Sequence, residues 1–349
     1  MSKSAFRILA ICTLVAVLGA AWAIHHEWSR WSANDHGAAL FPQLAANLDK
    51  VSQIKLRHRG NTLTLERRPD GWVMLESDGF PARSKSIQEL LYALSVARRV
   101  EPKTREANRY AKLEVEDPDG PEADSLGIEV FDASGDRLAA LILGKENLLL
   151  QAIGEGGAYI RLPDESQSWL ASGNLIAGKE TKDWLDNPIF DVPRQRIAKA
   201  EIAHPNGDIL VVKSTDEGDD KFVLEGLADD ETLISDYYPT DIGRVWEKFE
   251  IIGAKKRDAI EFLSDATIKG RYTAKDGLTI LFELATIDGK DWLRINSVST
   301  TNHNSPEAAA EVESIRAITK GFTFLIPEYE SIHLKKNRSE VVEKSKPQS

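Results

Sequence analysis

Residues Ile8 to Ile24 read ILAICTLVAVLGAAWAI, 17 positions without a charge, and nothing else constrains this 349-residue chain so tightly. As a helix rising about 1.5 Å per residue the run reaches about 26 Å, the short end of what spans a hydrocarbon core of about 30 Å. It is also long for the apolar core of a signal peptide. Lys3 and Arg7 precede it, and Trp22, Trp28 and Trp31 lie at and beyond its far end. Basic flanks stay in the cytoplasm, and indole rings suit the headgroup layer. The expectation is a single-pass anchor in a bacterial inner membrane, with residues 1–30 as cytoplasmic tip and anchor and the bulk of the chain periplasmic. Ala21-Trp22-Ala23 has the small-x-small form of a signal-peptidase site, but the length of the run and the bulk of Trp22 favour an uncleaved anchor. Cys12 does not fit a lipoprotein cysteine, because Ile11 is too large and most of the apolar run follows it.

Cys12 is the only cysteine, so the exported part has neither a disulfide nor a thiolate metal site. Without Lys3 and Arg7 the net charge falls from −11 to −13. Such a surface repels nucleic acid and anionic lipid. The C-terminal residues 335–349 run the other way, with Lys335, Lys336, Arg338, Lys344 and Lys346 against Glu340 and Glu343, and read as a disordered basic tail.

Between anchor and tail the chain reads as a duplication. Val51, Ile54 and Leu56, then Leu63 and Leu65, then Trp72, Val73 and Leu75 mark three short strands separated by turn residues. Ile197 and Ile202, Ile209 and Val211, Phe222 and Leu224 repeat them; Val51, Leu56, Leu63 and Leu65 recur as Ile197, Ile202, Ile209 and Val211 at an offset of 146. A helix follows in each copy, with Ile87, Leu90, Leu91 and Leu94 in the first and Ile242, Val245, Trp246 and Phe249 in the second, both at i, i+3, i+4, i+7. The spacing predicts helices over 86–99, capped by Ser86 and Glu89, and over 240–252. Strand pairs then turn at Asp132–Asp136 and Lys275–Gly277. Gly157–Asp164 resembles Gly321–Glu328 position for position. The second copy adds a strand at Asp291–Asn296 and a helix opened by Ser305 and Pro306 and stopped by Gly321. The predicted architecture is α+β: two tandem similar domains at 45–180 and 197–334, each a mainly antiparallel sheet with one amphipathic helix, joined by a linker at 181–196.

Leu48-Asp-Lys-Val51, Leu65-Glu-Arg with Gly71-Trp72, the helix Ile87–Leu94, Leu143-Gly-Lys145, Tyr159-Ile-Arg161 and Trp184-Leu-Asp186 together resemble the DUF4340 family, over roughly residues 45–335. The resemblance implies a membrane-anchored, non-cytoplasmic α+β protein associated with ABC-type export systems similar to gliding-motility transporters. The family brings no established catalytic residues to carry over.

Several constellations invite chemistry. Gly173-Asn-Leu-Ile-Ala-Gly178-Lys179 has the phosphate-loop spacing, but Glu180 stands where a magnesium-binding hydroxyl belongs. None of the seven histidines shows a zinc-type spacing. His58 and His204 lie 146 apart and read as a shared strand end rather than a paired site. Glu114, Glu116, Asp117, Asp119, Glu122 and Asp124 crowd one loop without the order of a calcium hand. Ser52-Gln-Ile-Lys55 spells the penicillin-enzyme motif on what reads as a strand, which turns the pair to opposite faces. Trp72, Trp246 and Trp292 fall in apolar-periodic segments and read as core. No catalytic, cofactor or metal residue is assigned. The expected function is a non-enzymatic periplasmic subunit that binds membrane or periplasmic proteins such as an ABC-type exporter, in an oligomeric state the sequence leaves open. The alternative is an envelope glycan- or peptide-binding protein or hydrolase, which a pocket with convergent carboxylates would favour.

Overall fold

The computed structural model describes residues 37–152, 156–215 and 221–344, with Thr13, Ala16, Val17 and Gly19 ahead of them. Apart from those four positions the run Ile8–Ile24, with Cys12, lies outside the described residues. Among the described residues no helix is long and apolar enough to cross a membrane. The fold is α+β, built on two large antiparallel sheets.

Helix α1 (Pro42–Ala46) leads into β1 (Val51–His58), β2 (Asn61–Arg68), β3 (Gly71–Met74) and β4 (Phe80–Pro81). Helix α2 (Ser84–Val96), β5 (Arg98–Pro102), β6 (Leu126–Asp132), β7 (Arg137–Glu146), the short helix α3 (Leu148–Ala152), β8 (Gly157–Arg161) and β9 (Ser168–Ser172) follow. The strand order is β4-β3-β2-β1-β6-β7-β8-β9-β5. On β1 the buried residues are Val51, Ile54 and Leu56. The side-chain period of two places Ile54 and Leu56 on one face; Val51 shares it because a bulge adds a residue at Ser52, where Val51 pairs with Asp132 and Gln53 with Phe131. The stripe Ile87, Leu90, Leu91 and Leu94 of α2 is buried. The helix starts at Ser84, two residues ahead of the Ser86–Glu89 pair read as its cap.

The chain then forms α4 (Thr181–Trp184), β10 (Ile197–Ala203), β11 (Ile209–Ser214), β12 (Phe222–Leu224), β13 (Glu231–Leu233), α5 (Tyr238–Gly243), β14 (Gly253–Lys256), β15 (Ile268–Ala274), β16 (Leu278–Ile287) and β17 (Lys290–Thr300). Helix α6 (Pro306–Thr319), β18 (Phe322–Ile326), α7 (Glu328–Lys335), α8 (Arg338–Val341) and β19 (Val342–Lys344) complete it. The second sheet runs β12-β11-β10-β15-β16-β17-β18-β14, and β13 pairs with β19 apart from it. Ser305 caps α6 by accepting the Ala308 N–H, as its sequence predicts.

Two compact units divide the chain: the described residues up to Thr62 with Gln88–Ala177, and Leu63–Ile87 with Gly178 onward. The second has an aromatic centre. The Trp246 ring lies 4.8 Å from Phe249, 5.1 Å from Phe190, 5.3 Å from Tyr272 and 5.4 Å from Phe282. A Cβ on Gly270 would fall 2.0 Å from the Phe282 ring, so only glycine lets β15 pass beneath it. Phe80 meets Phe322 and Phe324 edge-on at 5.1 and 5.8 Å, which fastens the 63–87 segment into this unit.

Three expectations need correction. The helix expected over 240–252 is only α5, six residues long. After Gly243 the bonds tighten to i→i+3 pairs, Val245 N–H to Ile242 O and Glu247 N–H to Arg244 O, and Lys248 takes a left-handed φ of 48°. Ile242, Val245, Trp246 and Phe249 are buried all the same. The matched spelling of 157–164 and 321–328 does not mark matched places in the sheets. Strand β8 is the third strand outward from β1, whereas β18 is the fourth outward from β10. The basic tail is structured as far as Lys344. Asn337 caps α8, Arg338 pairs with Glu231 and donates to Gly226 O, Val341 is buried, and β19 pairs with β13. Composition showed its charge but not the carboxylate waiting for Arg338.

Candidate functional site: a titratable cleft beside helix α7

Helix α7 has two polar faces. On the inner one, Ser331 and Leu334 are fully buried and Asp291 of β17 is 7% exposed. Asp291 accepts hydrogen bonds from Thr286 Oγ1 at 2.6 Å, Lys335 Nζ at 2.7 Å and Ser331 Oγ. Ser331 and Lys335 are one turn apart, so both reach the same oxygen, Oδ2. Burial raises the Asp291 pKa, but Lys335 and the two hydroxyls outweigh it and hold the carboxyl below its ordinary value. A buried carboxylate with these donors is a fixed anion that fastens α7 to β17.

The outer face borders a cleft of about 530 Å³ lined by Asp191, Pro193, Asp241, Arg244, Val245, Glu247, Lys248, Tyr329, Glu330 and His333. Burial raises the Glu330 pKa most. The Glu250 N–H pulls it down, the Glu250 carboxylate pushes it up and Arg244 pulls it down, leaving it at about 7. Burial lowers the His333 pKa against the attraction of Asp241, with Lys336 and Arg244 lowering it further. His333 Nδ1 lies 3.8 Å from Asp241 Oδ2, beyond hydrogen-bond reach. Tyr238, raised above its ordinary range by burial, donates to His333 O at 3.1 Å.

The cleft therefore holds a carboxyl that titrates near neutrality beside an imidazole that favours its neutral form. Two of its other carboxylates are framework. Asp191 Oδ1 accepts the Lys248 N–H at 2.9 Å and Glu247 Oε1 the Arg194 N–H at 3.0 Å. Glu330 itself binds the Glu250 N–H and Tyr329 Oη reaches Glu250 at 3.5 Å, so the α7 side chains hold the loop after α5. The sequence carried one signal for the inner face, an aspartate opening an otherwise apolar strand segment, Asp291-Trp292-Leu293. Nothing local marked Glu330.

The motifs singled out in the sequence are structural where they are described. Ser52 and Lys55 lie on β1, Ser52 at the bulge and Lys55 over the Phe131 ring. In the acidic loop, Glu116 accepts the N–H groups of Asp124 and Ser125, Asp117 accepts that of Asp119, and Asp119 and Asp124 pair with Arg57 and Arg59. Glu180 and Asp183 form a capping box at α4, and Trp184 Nε1 donates to Gly178 O, so the phosphate-loop spelling ends in a helix cap. His58 ends β1 and hydrogen-bonds Ser125 O, while His204 follows β10 and its N–H donates to Asp208 O across a turn. Trp72, Trp246 and Trp292 are buried.

No curated protein and no solved structure matches the chain. A family model described as a domain of unknown function, DUF4340, matches residues 72–281, from β3 into β16. The match spans more than half of the sequence, and the chain belongs to the DUF4340 family.

Proposed function

We propose that the chain is a non-enzymatic, membrane-anchored envelope protein whose two similar halves serve as a platform for partner proteins. The observation behind this reading is the use made of its carboxylates. In the acidic loop, the α4 cap and the cleft, they accept backbone N–H groups or pair with arginine, which suits a rigid scaffold better than reacting groups. The same feature speaks against the hydrolase alternative, because Asp191 and Glu247 are part of the frame. The internal duplication is supported by strand order: β3-β2-β1-β6-β7-β8-β9-β5 parallels β12-β11-β10-β15-β16-β17-β18-β14. On that alignment the segment without a counterpart is α6 rather than the strand at Asp291–Asn296. The bulges of β1 at Ser52 and β10 at Ala198 lie 146 residues apart, the offset read from the sequence. Leu148 and Leu149, 75% and 80% exposed on α3, offer an apolar contact point in the first unit.

The uncharged run Ile8–Ile24 supports the inner-membrane anchor with the remainder periplasmic, and the family resemblance supports an ABC-type exporter as partner. The test is crosslinking in intact cells followed by affinity capture of the full chain and mass spectrometry. Recovery of an inner-membrane transporter subunit with the wild type, and its loss with Leu148→Asp/Leu149→Asp, is the expected result. Failure to recover any membrane partner would overturn the reading.

A further inference from the structure

The second unit holds a groove of about 710 Å³ between β17 and α6, on the opposite charge footing from the acidic chain around it. Arg257, Arg316 and Lys320 line it together with Glu313, and Asn296 and Ser297 supply exposed polar groups. The two guanidiniums are held in place. Arg257 Nη1 donates to Ile295 O at 2.9 Å and Nη2 to Asn296 Oδ1 at 2.6 Å. Arg316 Nε donates to Val298 O at 2.9 Å and Nη1 to Glu313 at 2.7 Å. With Oδ1 committed to Arg257, Asn296 has its amide donors left to offer.

Behind Arg257 stands a further guanidinium. Arg294 donates to Arg257 O and Ile260 O, and its plane lies over the Phe262 ring. Among the described residues, Arg257, Arg294 and Lys320 form no ion pair; Glu283 and Asp258 act on Arg257 only from beyond contact. Burial and the Arg294 charge both disfavour the charged form of Arg257. A like charge close behind Arg257 is electrostatically costly, and an anion held in the groove by Arg257 offsets that cost. Planar, pre-oriented guanidinium donors match phosphate and carboxylate oxygens. The volume is that of a small-molecule site.

We infer that the groove between β17 and α6 binds an anionic small molecule, holding its phosphate or carboxylate group with Arg257, Arg316 and Lys320. Isothermal titration calorimetry on the full chain in neutral detergent tests this with three probes: inorganic phosphate, glucuronate and, as the uncharged control, glucose. Saturable binding of phosphate or glucuronate but not glucose is expected, and which of the two binds tells the phosphate source from the carboxylate source. Arg316→Gln/Lys320→Gln should weaken it at least about fivefold, and Lys320→Gln alone, at an exposed position, should weaken it with the melting temperature unchanged. Arg257→Lys, which keeps the charge but loses the fork, should weaken it less. Absence of saturable binding by both anions, or equal affinity in the double variant, would overturn the assignment.

Discussion

Asp78 Oδ1 accepts a hydrogen bond from Lys255 Nζ at 3.1 Å, across 177 residues of chain. Its other oxygen takes the Lys256 N–H at 2.8 Å, so one carboxylate at the β3–β4 turn fixes the end of β14. Burial raises the Asp78 pKa, but the Lys256 N–H and the Lys255 ammonium, with both lysine charges, outweigh it and hold it below its ordinary value. A depressed carboxyl stabilises the fold above its unfolded pKa and loses that contribution as pH falls through the folded value. Asp78→Asn tolerates the left-handed φ of 53° but puts an amide NH2 in place of one accepting oxygen, so it removes the charge and one of the two hydrogen bonds. It should cost about 1–2 kcal/mol at neutral pH. The cost should shrink below about pH 4, read by urea melts across the acid range.

Leu91 and Trp246 belong to the two buried stripes. Leu91→Ala should cost about 2–5 kcal/mol and Trp246→Ala about 3–5 kcal/mol. Calorimetric melting of the purified protein checks both. An unchanged melt with loss of partner capture would make that segment an interface instead of core.

Glu330 governs a pH response of the α7 seam. Its pKa is raised from 4.5 to about 7, so its contribution is complete below the unfolded value and disappears as pH rises through the folded one. His333 runs the other way: its contribution is present above 6.5 and is lost as pH falls through its lowered value. Comparing Glu330→Gln with wild type isolates the carboxyl. The variant should gain melting temperature relative to wild type between about pH 5 and about pH 8. A difference that stays constant across that interval would refute the role given to Glu330.

Deleting residues from Arg338 onward should destabilise the second unit. Burial of Val341 alone accounts for about 1.5–3 kcal/mol, and β13 loses its only described neighbour, β19. A lower urea midpoint with unchanged expression is the expected outcome; an unaltered midpoint would return these residues to the status of a tail.

Local pattern sufficed where burial repeats along the chain. Ile54 and Leu56 alternate, Leu90, Leu91 and Leu94 recur at helical spacing, and both are where that periodicity places them. It failed where the deciding partner is distant. The apolar spacing of Ile242 to Phe249 persists in hydrogen-bonded turns as well as in a helix, so periodicity could not set the length of α5. Arg338 has the same spelling in a tail as in a clasp, and only Glu231 distinguishes them. The Glu330 cleft depends on Glu250 and Asp241, which no local spacing joins to it.

The attachment of residues 63–87 to the second unit has a consequence in time. Phe80 is synthesised long before Phe324, and at about 5–20 residues per second the interval is about 10–50 s. Throughout it Phe80, fully buried at the end, lacks the Phe322 and Phe324 rings that meet it. The arm is thus an early-made piece awaiting a late-made socket, a non-local closure of the kind that slows folding. Cutting the chain anywhere between Gly178 and Ile326 strands that arm.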